Sequence, residues 1–202
     1  MEALESATSR DGLRFYHRII PHPQPEFLPV LFVSGAFQTM DSWARFARVF
    51  ARHTTVLLVD PPGMGQSGVL PPSHGVDFLA GCLKQVLDER GIDRANVVAA
   101  SYGTPSAFRM AQLYPDRVAR VALGGTMREL PVHLRKRIAD TVETALRGDR
   151  VLLADKIVEG MLCHDPDRPI DRRDLAARVL GAAFVECPIW SCGSTPPTRV
   201  AC

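Results

Sequence analysis

Four short apolar runs punctuate the first 125 residues: Val30-Leu-Phe-Val33, Thr54-Thr-Val-Leu-Leu-Val59, Asn96-Val-Val-Ala-Ala100 and Val118-Ala-Arg-Val-Ala-Leu123. A strand buried on both faces of a sheet reads as such a run rather than as an alternation. Between the runs, apolar residues recur at helical spacing. Over Asp41 to Arg52, the residues Trp43, Phe46, Ala47, Val49 and Phe50 fall near the 3.6 period, and Asp41 or Ser42 can cap the start. Over Gly75 to Arg90, Phe78, Leu79, Cys82, Leu83, Val86 and Leu87 form one stripe, and Gly91 ends it. Thr104 to Tyr114 reads as a further helix, with Pro105 acceptable in its first turn. Upstream, Leu13 to Ile20 has strand composition and is expected at an edge, and Pro21 to Pro29, with four prolines, is a loop.

Strands alternating with helices, joined by crossovers long enough for parallel pairing, predict a three-layer α/β sandwich with a mostly parallel sheet. Binding sites in such sheets lie at the carboxyl ends of the strands. After residue 126 the pattern changes. Leu134, Ile138, Val142, Ala145 and Leu146 mark a helix closed by Gly148. Asp149 can cap a second helix with Leu152, Leu153, Ile157 and Leu162, and Asp171 a third with Leu175, Val179 and Leu180. From Cys187 onward a Pro/Ser/Thr/Cys composition suits neither a helix nor a central strand. The expected organisation is an α/β core over 1–128, a helical region over 129–186 and an irregular tail over 187–202.

Composition narrows the partners. The 202 residues suffice for one domain with a real core plus an appendage. A net charge of +2 is too small to imply nucleic acid or an anionic membrane. The longest apolar runs, about six residues, are far short of a spanning helix. Met1-Glu-Ala-Leu-Glu-Ser lacks the basic-then-apolar order of a secretory signal, so a cytoplasmic location is expected. Of the five cysteines, Cys82 and Cys163 fall in predicted helices, and no disulfide framework is implied.

The chemistry concentrates at the strand ends. Ala99-Ala-Ser101-Tyr-Gly103 places a serine between small residues where a strand passes into a helix. A serine on so sharp a turn holds its hydroxyl clear of its neighbours, with the next backbone N–H aimed at the same space. Ser34-Gly35-Ala36-Phe37 closes the first buried run, and its glycine lets the chain turn sharply. The segment is either half of an oxyanion hole, completed by the Tyr102 N–H, or a simple strand-to-loop turn, and the serine two crossovers later favours the first. Gly63-Met-Gly65-Gln-Ser-Gly68 matches a dinucleotide fingerprint, but Pro71 and Pro72 follow where an opening helix is required. No cofactor is expected. Asp60, before this loop, is read as holding its turn through local hydrogen bonds. His17, His22, His53, His74, His133 and His164 show no metal-ligand spacing, and no metal site is expected.

These pieces together, in this order and spacing, resemble the α/β-hydrolase superfamily from about Leu13 to Thr126. The resemblance implies that Ser101 is the nucleophile, that Ala36 or Phe37 and Tyr102 line the oxyanion hole, and that the helices after residue 130 are a cap over the acyl pocket. Ala99 stands where the elbow usually has its first glycine. The Ser-Gly-Ala opening, with Ala-Ser-Tyr-Gly, looks like the branch that includes the hydroxyacyl-transferring synthase of rhamnolipid lipid-chain assembly.

The resemblance also implies a triad acid and histidine on loops after two further strands. The chain ends inside or just after the cap, so an incomplete fold is expected. Asp140, Asp155, Asp165 and His164 lie in predicted helical stretches and are not assigned to the triad. Without its base a serine is not deprotonated at neutral pH. The expected function is hydrolysis of carboxylic esters or thioesters through an acyl-enzyme, impaired in this form. The alternatives are acyl transfer from a hydroxyacyl carrier, or a truncated acyl-binding or partner protein without catalysis. An uncovered sheet edge would favour self-association.

Overall fold

The computed structural model describes residues 3–36 and 38–161. The chain divides into two compact units, with the break between Thr126 and Met127. The first unit holds a six-stranded sheet in the order β1-β2-β4-β3-β5-β6. The strands are β1 (Leu4–Arg10), β2 (Leu13–Ile20), β3 (Val30–Val33), β4 (Val56–Asp60), β5 (Ala95–Ala100) and β6 (Val118–Gly124). The first two pair antiparallel, and β2 pairs antiparallel with β4. The remaining four run parallel.

Helices cover both faces. On one, α2 (Val76–Glu89) and α3 (Thr104–Leu113) bring Leu83, Val86, Leu87, Ala107 and Met110 against Leu31, Val33, Leu57, Val59, Val97 and Ala99. On the other, a 3-10 turn (Met40–Trp43) and α1 (Ala44–Phe50) set Met40, Trp43 and Ala47 on Val30, Phe32, Val56 and Leu58. The Phe32 and Trp43 rings lie 4.9 Å apart between centroids, and Phe32 meets Phe50 edge-on at 5.5 Å. The result is the three-layer α/β sandwich that the strand–helix alternation predicts.

Three local expectations change. Leu13–Ile20 is not the edge, because Leu4–Arg10 pairs outside it. Within β1 the apolar positions are too few to show in the sequence; it is held by backbone pairing, with only Thr8 buried. The start of the first helix is a 3-10 turn, and neither Asp41 nor Ser42 is its cap: Thr39 is, and Ser42 Oγ accepts from the Thr39 N–H at 3.3 Å. Finally, only β3 and β4 are buried throughout. In β5 every second residue is partly exposed, and in β6 every residue after Val118 is, because the cluster under α1 is centred on β3 and β4 and reaches only Val98 of β5 and no residue of β6.

The N-terminal hairpin is tied to α2 by polar groups. Arg90 donates from Nε to His17 Nε2 at 3.0 Å and also bonds Ser6 Oγ. His17 is fully buried, and burial, reinforced by the Arg90 charge, lowers its pKa from the ordinary 6.5. Its ring is therefore neutral, with Nε2 accepting and the proton on Nδ1. Cys82 is buried in α2, and that burial pushes its thiol up to about 12, which leaves it inert.

The second unit contains α4 (Val132–Leu146) and α5 (Arg150–Met161). Lys156 crosses from α5 to Asp140 at 2.6 Å and to Thr144 Oγ1 at 2.8 Å, both on α4. The expected third helix and the tail over 187–202 lie outside the described residues. Among the described residues no helix is long and apolar enough to cross a membrane.

The inner face of the sheet dominates stability. Leu83→Ala removes a fully buried side chain and should cost about 3 kcal/mol, whereas Val69→Ala, on an exposed loop, should stay within about 0.5 kcal/mol. Urea unfolding of both variants beside the parent chain measures the difference.

Candidate functional site

In the parallel part of the sheet the chain order reverses between β3 and β5, which are neighbours with β4 and β6 outside them. A crevice opens at the carboxyl ends of strands flanking such a reversal. The two loops that leave these ends are Ser34-Gly35-Ala36 and Ser101-Tyr102-Gly103.

Ser101 has φ +46°, and Asp11 in the β1–β2 turn is the other described non-glycine residue with positive φ. Such a conformation is uncommon outside glycine and costs about 1–2 kcal/mol. The surrounding packing enforces it. Gly103 has no room for a β-carbon, which would fall 2.5 Å from the Ser34 carbonyl oxygen and 3.0 Å from that of Val33. Gly35 is nearly as tight: a β-carbon there would lie 3.1 Å from the Ala100 carbonyl oxygen and 3.2 Å from Ser101 Cβ. Gly125, just beyond β6, has φ +72° and lies against the Ser101 backbone. Thr104 Oγ1 donates to the Ser101 carbonyl at 2.7 Å and Ser106 Oγ to that of Gly103 at 2.8 Å, bracing the first turn of α3.

The structure thus brings Ser101, Tyr102 and Ala36 to one strand-end crevice; Phe37 lies outside the described residues. Ser101 and Tyr102 are exposed, and Ala36 is half-buried. Among the described residues no side chain hydrogen-bonds Ser101 Oγ. Asp140 and Asp155 belong to α4 and α5 of the second unit. Asp165 and His164 lie outside the described residues. Among the described residues no group of three or more His, Cys, Asp or Glu side chains could hold a metal ion.

Asp60 ends β4 and is buried beside two loops. Its Oδ1 accepts the Met40 N–H at 2.7 Å, and its carboxylate also takes a backbone bond from Gln66. A β-carbon on Gly65 (φ +49°) would land 2.1 Å from Asp60 Oδ2, so only glycine fits there. The Ser67 hydroxyl bonds the Asp60 carbonyl and accepts the Tyr16 N–H at 3.1 Å. The Gly63 N–H bonds Gly68 at 2.7 Å, so this loop closes on itself, unlike a phosphate cradle. Burial pushes Asp60 up to about 6, opposed by its two backbone hydrogen bonds.

One side chain at the crevice gave no signal in the sequence. Gln38 Oε1 accepts the Gly35 N–H at 2.8 Å, and Oε1 would lie 3.1 Å from a β-carbon on Gly35. Gln38 and Ser101 therefore border the same space.

Comparison with known proteins follows the same outline. A family model described as the alpha/beta hydrolase fold matches residues 29–158, more than half of the chain. The chain belongs to the α/β-hydrolase superfamily. A 2-hydroxy-6-oxononadienedioate/2-hydroxy-6-oxononatrienedioate hydrolase of Paraburkholderia phymatum is 38% identical over 104 residues, 48% of this chain and 36% of the relative. The dihydrolipoyllysine-residue acetyltransferase component of the acetoin cleaving system of Cupriavidus necator is 36% identical over 94 residues, 46% of this chain and 25% of the relative. The chain thus spans a minor part of the length of these curated relatives. Among solved structures, the enol-lactonase of Burkholderia xenovorans LB400 superposes with a TM-score of 0.69 at 20% identity, covering 88% of this chain and 66% of that one. This last likeness is one of fold. For this α/β-hydrolase chain, the strand-end crevice lies in the matched region, as do Asp60 and Gln38.

The Asp60 environment predicts a signature in pH. Its folded-state value of about 6 lies above the ordinary 3.8, so ionisation opposes folding, and its contribution falls as pH rises from about 4 to 6. Asp60→Asn removes this dependence. The stability of the variant relative to the parent should therefore improve by up to about 3 kcal/mol across that window, read from urea unfolding at each pH.

Proposed function

We propose that this chain carries the acyl-transfer half of a serine hydrolase acting on carboxylic esters or thioesters. Ser101 Oγ attacks the carbonyl carbon as its proton passes to solvent water, since no described side chain bonds that hydroxyl, and the leaving group takes a proton back from water. The alkoxide or thiolate departs, and water then cleaves the acyl-serine ester. Negative charge on the tetrahedral oxygen is met by the Tyr102 N–H and by that of Ala36 or Phe37. The Gly35 N–H is engaged by Gln38, which leaves the donor role in that loop to its successors.

The observation that carries this reading is the positive φ of Ser101 at the end of β5, beside the reversal of chain order. That backbone holds the exposed Ser101 side chain clear of the packed layer, and strain of this kind persists where the surroundings over-determine it. The named activities of the relatives are consistent with it: a hydrolase in one case, an acetyltransferase component in the other. The second of these favours a further reading, in which an alcohol or thiol replaces water as the acyl acceptor.

The test is hydrolysis of p-nitrophenyl butyrate by the purified chain beside Ser101→Ala. The variant should turn over measurably more slowly, by far less than the factor of about 10⁶ lost where a serine has its base. A fluorophosphonate probe should add to Ser101 in the parent, located by peptide mass spectrometry. Equal rates for the two proteins, or labelling elsewhere, would overturn the assignment. Ester formation on adding 3-hydroxybutyrate as acceptor would select transfer over hydrolysis.

A further inference from the structure

Gln38 stands out because its side-chain amide is half used. Its oxygen is fixed by the Gly35 N–H at 2.8 Å, which also sets the orientation of the amide plane and leaves Nε2 as the free end. Among the described residues nothing accepts a hydrogen bond from Nε2. The group is not desolvated either: Gln38 is half-buried, and its nitrogen is absent from the small set of buried polar atoms that lack partners. Two N–H donors therefore remain unused on a side chain whose Oε1 borders the same space at Gly35 as Ser101 Cβ.

The anchoring is local and stiff. The Gln38 N–H itself bonds the Gly35 carbonyl at 3.3 Å, closing a tight turn, and the next residues are pinned by Asp60 through Met40. A glutamine tethered at its oxygen and at its backbone has lost most of the rotamer freedom that a ligand would otherwise have to remove. Preorganised donors beside a reacting centre act on whatever oxygen the substrate places next to the scissile carbonyl.

We propose that Gln38 is a specificity-determining residue whose Nε2 donates to an oxygen acceptor on the carbon adjacent to the scissile carbonyl, favouring 2-oxoacyl over simple alkanoyl groups. This deepens the acyl-transfer reading of the same crevice and rests on it for turnover. It concerns the acyl group bound at Ser101, not the donors to the tetrahedral oxygen, which come from the backbone.

Two substitutions separate the donor from the anchor. Gln38→Glu keeps an oxygen to accept the Gly35 N–H but has no donor at neutral pH, whereas Gln38→Met loses both. Hydrolysis of ethyl pyruvate and of ethyl propanoate is compared for the full chain and both variants. Gln38→Glu should lower the kcat/KM ratio of pyruvate to propanoate ester about tenfold, the worth of one net hydrogen bond. If Gln38 only anchored the turn, that ratio would be unchanged in Gln38→Glu, and this result overturns the proposal.

A second arm needs no turnover. In the Ser101→Ala protein, pyruvate but not propanoate should shift the Gln38 side-chain amide resonances, assigned by their loss in Gln38→Met. Absence of that shift overturns the proposal even where the esters are hydrolysed. A shift without Ser101-dependent hydrolysis supports Gln38 as a ligand contact while rejecting the catalytic reading of Ser101.

Discussion

The close approach of Gly103 to the end of β3 is the constraint from which the rest of the site follows. The carbonyls of Val33 and Ser34 occupy the space a side chain would need, so the first turn of α3 can sit against β3 only with a bare α-carbon there. That approach fixes where α3 begins, and the chain must then reverse within two residues of leaving β5. Ser101 is forced into the left-handed region as a result, and its side chain is directed away from the packed layer. The strain, about 1–2 kcal/mol, is small beside the burial of Ala107 and Met110 that the same placement of α3 permits.

The loops that border this serine are held by one carboxylate outside the crevice and one amide at its border. Asp60 gathers the segment after the β3 loop and the glycine-rich turn after β4 with one buried carboxylate. Gln38 closes the β3 loop on itself. Neither arrangement relies on the exposed side chains of the crevice, so those side chains are free to be chosen for a ligand. A carboxylate here is favourable as a hydrogen-bond acceptor and unfavourable as a buried charge, and its raised pKa reflects the balance of the two. A glycine at position 65 is needed for both reasons: its backbone conformation and its contact with the carboxylate.

How much of this was legible in the sequence depended on how far each feature was local. The runs at β3 and β4 read correctly because both their faces are covered. The run at β6 reads the same but is exposed at alternate positions, since nothing in a single strand reports how far a neighbouring helix extends. Leu4–Arg10 escaped notice because an edge strand held by backbone pairing and polar ties to α2 needs few apolar positions. The crevice was visible through the order of the Ser34-Gly35-Ala36, Asp60-to-Ser67 and Ala99-to-Gly103 segments, each of which carries a backbone demand that restricts its residues. The turn-holding part of Asp60 could be read from its neighbours, but its burial arises from the 3-10 turn at Met40, twenty residues away in sequence. Gln38 gave no signal at all, because its geometry depends on the bend at Gly35 and on the strand that places Ser101 beside it.

The neutral ring of His17 has an influence on the whole first unit. Its pKa is lowered, so below the ordinary 6.5 the unfolded chain takes up a proton that the folded one resists, and this group weakens the fold as the solution is acidified. Protonation would also place a second positive charge against the Arg90 guanidinium, at the seam between the hairpin and α2. Asp60, on the neighbouring strand and opposite Tyr16, responds with the opposite sign over an overlapping range. The two buried groups thus pull in opposite directions: mild acid works against the seam between the N-terminal hairpin and α2 while relieving the buried charge beneath the loops around Ser101.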